Sequence, residues 1–109
     1  MNDILKEAQE LQHKIVEWRR ILHRCPETGL VLPKTADFVT KQLTAAGIEY
    51  QTYKNHSGIT AVIGKGSGKT IAIRADMDGL PIKEETGLTY ASANENMHAC
   101  GHDAHTAML

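Results

Sequence analysis

His98, Cys100, His102, Asp103 and His105 fall within eight residues of one another, in the stretch Met97-His98-Ala99-Cys100-Gly101-His102-Asp103-Ala104-His105. Cys100 and His102 are two apart. In an extended or loop segment such side chains face the same way. A thiolate and an imidazole can therefore converge on one cation, and both suit zinc and neighbouring transition metals. Gly101 between them lets the backbone turn sharply. Asp103 stands where a carboxylate can orient a ligating imidazole. The bland alternative is a buried cysteine among surface histidines; the density of the cluster favours the metal. His98 and His105 stay open between metal ligand, proton-transfer group and hydrogen-bonded structural residue.

A second group lies upstream, in Arg74-Ala75-Asp76-Met77-Asp78-Gly79-Leu80-Pro81. Asp76 and Asp78 follow an apolar run that reads as a strand, and the ends of central strands are where α/β folds place functional side chains. Alternation puts both carboxylates on one face if the strand continues, to orient a ligand or bind a cation. A plain turn at Asp78-Gly79 is an equal alternative. A hydrolytic metal site usually needs three protein ligands, a water and a base for the water's proton. The chain offers two strong ligands. Glu84 and Glu85, in Ile82-Lys83-Glu84-Glu85-Thr86-Gly87, read as a solvated loop face. The site is incomplete by this count.

The elements that must position these groups change period along the chain. Ile4, Leu5, Ala8, Leu11, Ile15, Trp18, Ile21 and Leu22 recur every three or four residues, which predicts an amphipathic helix over about residues 3–24, ended by Pro26. Pro33 suits the first turn of a second helix, with Ala36, Phe38, Val39, Leu43 and Ala46 on its buried side and Gly47 as its stop. Residues 48–54 and 59–63 predict two strands around the turn Asn55-His56-Ser57-Gly58, and residues 70–74 a third, central in its sheet. A long loop and a new helix beginning near His102 or Asp103 complete the order α-α-β-β-β-loop-α, an α/β chain in a single domain, residues 1–109.

Composition closes off other functions. Net charge is −1 with 23% charged residues, which gives no electrostatic case for nucleic acid or an anionic membrane. No apolar run approaches the roughly 20 residues that span a bilayer. The first residues lack the basic-then-apolar pattern of a signal peptide, so a cytoplasmic protein is expected. Cys25 and Cys100 do not form the pattern of a secreted disulfide scaffold, and Cys25 reads as an ordinary free thiol. Gly64, Gly66 and Gly68 are not a phosphate loop: Ile63 stands where the first glycine belongs, and a strand-like run rather than a helix follows.

The two motifs closely resemble those of the M20 family of metallopeptidases, in its aminoacylase-like branch of N-acyl-amino-acid amidohydrolases, hippurate hydrolases and auxin-conjugate hydrolases. The stretch from Trp18 to Glu27 is similar to that branch's N-terminal helix and its Arg-Arg…His…Pro-Glu ending. The resemblance implies the N-terminal part of a three-layer α/β catalytic domain, with a smaller dimerisation domain absent here and a homodimer at full length. It implies two divalent metal ions per complete active site, commonly zinc, manganese, cobalt or nickel, and hydrolysis of the amide bond of small N-acyl amino acids. It makes Cys100 and His102 the metal ligands and Asp78 a supporting carboxylate. Asp76 stands where the wider family has a metal-binding histidine, so no ligand is carried over there. The general-base glutamate and the remaining ligands would lie beyond Leu109. The chain alone is then expected to be inactive. The alternatives are a non-catalytic metal-binding module, a subunit completed by another chain, or a structural zinc domain using Cys100, His102, His98 and His105.

Overall fold

The computed structural model describes residues 2–109. Helix α1 (Asn2–His23) is followed by α2 (Pro33–Ala45), strands β1 (Tyr50–Thr52) and β2 (Ile59–Ala61), and α3 (His102–Met108). The α/β class, both long helices and the start of α3 agree with the sequence-based expectation. Asn2 and Asp3, polar residues suited to capping α1, already lie within the helix. Pro33 opens α2 as expected, but its cap comes from a distance: the Glu27 carboxylate accepts the backbone N–H of Thr35 at 2.7 Å and of Lys34 at 3.2 Å, and the Thr35 hydroxyl at 2.7 Å. A negative charge there satisfies amides that have no partner inside the helix and complements its dipole. Gly47, at φ 70°, follows the helix end.

The sheet is one antiparallel pair, with Tyr50 opposite Ala61, Gln51 opposite Thr60 and Thr52 opposite Ile59. Both strands are shorter than expected, and the third differs more. Residues 70–74 form no strand, and Ile71 and Ile73 are 82% and 71% exposed. The reason is physical. A central strand is held by ladders to neighbours on both sides, and among the described residues nothing pairs with this run. Its continuous apolar pattern is real, but its partners are not among these elements. The first half of the α1 stripe is likewise uncovered, with Ile4, Leu5 and Leu11 exposed. On α2, Phe38, Val39 and Leu43 are only half-buried and Ala46 is exposed.

What is packed lies where α1 meets α3. Among the described residues the buried apolar side chains are Leu22, Pro26, Leu32 and Ala107; His23, Thr35, His98 and Asp103 are buried with them. The long segment leading to α3 is pinned to the α1–α2 connection by its backbone. Gly79 N–H donates to Glu27 O at 2.7 Å and Ala93 N–H to Arg24 O at 2.9 Å. Leu80 and Met97 exchange both backbone hydrogen bonds, at 2.8 and 2.9 Å, in an isolated antiparallel bridge. That bridge brings Asp78 and the 98–105 stretch, far apart in sequence, to one place.

Candidate metal centre

Gly101 precedes α3 in the left-handed region at φ 81°, a conformation that would strain a residue with a side chain. The turn leaves Cys100 before the helix and His102 as its first residue. Cys100 is an exposed free thiol. His102 Nδ1–H donates to Asp78, 2.9 Å from its carbonyl oxygen and 3.0 Å from Oδ1. This bond fixes the tautomer and leaves the Nε2 lone pair available. One turn on, the Thr106 hydroxyl donates to Asp76 O at 3.0 Å, so both aspartates hold the same face of α3. The Asp76 carboxylate itself pairs outward with Arg74, 2.9 Å from Nε and 2.7 Å from Nη2. Arg74, Ala75, Asp76, His102 and His105 line an open depression, where the ring of exposed His105 is 6.3 Å from that of His102.

Asp103 points the other way. Its carboxylate is buried and meets α1, accepting Arg19 Nε–H at 2.7 Å and His23 Nδ1–H at 2.7 Å through the same Oδ2. It steadies an imidazole, but that of His23 rather than His102. Burial alone would raise its pKa; the hydrogen bonds from His23 and the Ala104 amide, with the charge of Arg19, outweigh this and hold the carboxyl below its ordinary value. On the far side of the His23 ring, Nε2 is 2.8 Å from Glu84 Oε1. The Tyr90 ring meets His23 edge-on at 5.7 Å and carries the Arg20 guanidinium over its face at 4.5 Å.

Ile82, Lys83, Glu85, Thr86 and Gly87 are exposed, as a solvated face should be, but Glu84 departs from it: its side chain is 1% exposed. Desolvation raises its pKa, yet hydrogen bonds from Thr86 and the Ser92 amide and the proximity of His23 bring it below the ordinary carboxylate value. His98 is buried too, its ring 6.4 Å from His23, and neither ring nitrogen has a protein partner. Desolvation pushes its pKa down.

Of the residues singled out from the sequence, the fold thus joins His102 to Asp78 directly and to Asp76 through α3. It sends Asp103 and His98 into the interior. No group of three or more His, Cys, Asp or Glu able to hold one metal ion occurs among the described residues. His23 is not among the site residues expected from the sequence, and Glu84 reads there as solvated. Arg19 and His23 are four apart and so share a face of α1, which is a legible signal; Glu84 gave none. The donor chemistry fits a divalent cation: an accessible thiol, and an imidazole whose other nitrogen is already committed.

Comparison with known proteins adds to this geometry. Residues 72–109, which contain both motifs, match the model of peptidase family M20/M25/M40. Along 98% of its length the chain is 44% identical to an N-acyl-L-amino acid amidohydrolase of Geobacillus stearothermophilus, of which it covers 30%. A crystal structure from methicillin-resistant Staphylococcus aureus superposes with a TM-score of 0.89 at 45% identity, over 98% of this chain and 28% of that one. A Bacillus subtilis structure described as a dinuclear metal binding peptidase superposes with a TM-score of 0.82 at 37% identity, over 91% of this chain and 28% of that one. The chain therefore spans under a third of the length of each.

Proposed function

Because this chain belongs to the M20 peptidase family, we propose that it supplies one side of the metal centre of an N-acyl amino acid amidohydrolase. The observation that carries this is the His102 hydrogen bond to Asp78, which frees Nε2 two residues from the exposed Cys100 thiol. Cys100 Sγ and His102 Nε2 are the ligands this chain contributes. A divalent cation bound there supplies Lewis acidity toward an amide carbonyl and lowers the pKa of a water it holds. The chain's own part is to orient. Asp78 fixes the His102 ring, and Thr106 ties α3 to the backbone at Asp76. The similarity to the amidohydrolase of Geobacillus stearothermophilus supports N-acyl amino acids as the substrate class.

The reading keeps two metal ions, a dimer and the general-base glutamate as properties of a full-length protein, in the cytoplasm. The chain by itself is expected to bind metal weakly and not to turn over substrate, because no three ligand-type side chains gather at one point among the described residues. The test is zinc stoichiometry by titration calorimetry, on the wild-type chain and on Cys100→Ala and His102→Ala variants. Binding lost in both variants supports the reading. Stoichiometric binding that survives both substitutions overturns it. Release of free amino acid from N-acetyl amino acids by the wild-type chain would refute the expected inactivity.

A further inference from the structure

The contact between α1 and α3 is built from charge. Glu84 Oε1 lies 2.8 Å from His23 Nε2; His23 Nδ1 lies 2.7 Å from Asp103 Oδ2; Arg19 Nε lies 2.7 Å from the same oxygen. The side chains of Glu84, His23 and Asp103 are 1%, 3% and 0% exposed. Buried ionic groups are a poor route to stability, since apolar side chains of similar volume often do as well or better. What they supply is direction, because hydrogen bonds between charged groups are short and geometrically strict. The chain of contacts ends on Asp103, which is adjacent to His102 in the first turn of α3. That turn is gripped from both sides: from the interior at Asp103, and from the open side at His102 by Asp78. Glu84 is itself held, by the Thr86 hydroxyl and by the Ser92 amide at 3.0 Å.

We propose that His23 is a positioning residue for the metal centre. Through Nδ1–H it fixes Asp103, and through Asp103 the orientation of His102 and of Cys100 beside it, while the Glu84 carboxylate lies 2.8 Å from Nε2 on the far side without the geometry of a hydrogen bond. The proposal rests on Cys100 and His102 being the ligands. It assigns to the last residue of α1, more than seventy positions from the motif, a role in shaping the motif's geometry.

The test is a cobalt(II) titration of the full 109-residue chain, reading the thiolate-to-cobalt charge-transfer band and the ligand-field bands. Asparagine places its amide nitrogen where His Nδ1 stands, and glutamine places its own where Nε2 stands. His23→Asn therefore keeps the bond to Asp103, and His23→Gln keeps only the contact with Glu84. The expected result is that His23→Ala and His23→Gln weaken cobalt binding about tenfold or more and alter the ligand-field bands, as loss of a group supporting a ligand does. His23→Asn recovers both affinity and spectrum. Far-UV circular dichroism of each variant checks that the helices persist; if His23→Ala unfolds, the Asn and Gln pair decides. Equal behaviour of Asn and Gln, or a His23→Ala variant that binds cobalt as the wild type does, overturns the proposal. Binding unaffected by Cys100→Ala with His102→Ala overturns the ligand assignment, and the positioning role with it. Binding abolished by that pair but indifferent to His23 overturns the positioning role alone.

Discussion

Replacing Asp103 with alanine removes the acceptor shared by Arg19 and His23. The two partners differ in what they can do next. The Arg19 side chain is 30% exposed and can turn to water, whereas that of His23, 3% exposed, cannot. Breaking a buried charged pair costs about 3–5 kcal/mol, and stranding one buried polar group about 1–3 kcal/mol. With Arg19 rehydrated and only His23 stranded, Asp103→Ala should cost about 2–3 kcal/mol. Small domains are stable by about 5–15 kcal/mol. This one, whose buried apolar side chains among the described residues are Leu22, Pro26, Leu32 and Ala107, belongs at the low end, so the loss is a large share of the total. The assay is urea unfolding followed by circular dichroism at 222 nm. For a slope of about 1–3 kcal/mol per molar urea, the midpoint should fall by roughly 0.7–3 M. Asp103→Asn keeps an oxygen to accept from His23 and should cost about 1 kcal/mol. An alanine variant within about 0.5 kcal/mol of wild type, the range of an ordinary surface substitution, would refute the reasoning. So would an asparagine variant as damaged as the alanine one.

Two further outcomes are expected. Buried His98 has its pKa pushed below the ordinary 6.5, so the unfolded chain takes up a proton that the folded chain refuses. The stability this gives is present above pH 6.5 and declines as pH falls below it. Asp103 and Glu84, held below their ordinary 3.8 and 4.5, lose their contributions only at lower pH. The urea midpoint should therefore drop between pH 7.5 and 5.5, and drop less in His98→Gln; a midpoint rising over that interval contradicts the assignment. In Gly79→Ala, the new methyl would meet Pro26 Cβ at 2.9 Å and Met97 O at 3.1 Å. The bridge that aligns Asp78 with α3 must then shift, at about 1–3 kcal/mol, read as a lowered thermal midpoint; an unchanged midpoint would show that the loop yields freely.

The parts of the fold legible in the sequence are those whose signal is local. The three-and-four spacing from Ile15 to Leu22 and the halts at Pro26 and Gly47 are properties of consecutive residues, and α1 and α2 appear where those signals put them. The His102–Asp78 pairing was half legible: residue types and spacing marked both, but the Leu80–Met97 bridge that joins them has no sequence signature. The run over residues 70–74 misled for the opposite reason. Its apolar pattern tells what a strand could bury, while a strand exists only where another backbone pairs with it. Glu84 was misread because a glutamate between Lys83 and Glu85 looks solvated. Its burial comes from His23, sixty-one positions away, which no window along the chain contains. The sequence points Asp103 at a metal-ligating imidazole, whereas its partner is the His23 ring on another helix.

The most direct test of the account is a crystal structure of the zinc-loaded chain, with anomalous diffraction collected at the zinc edge. The account predicts an anomalous peak at bonding distance from two atoms, about 2.3 Å from Cys100 Sγ and about 2.1 Å from His102 Nε2, with the Nδ1–Asp78 hydrogen bond intact. Zinc bound instead through His102 Nδ1, with Asp78 displaced, or held at His98 or His105 without Cys100, would contradict it.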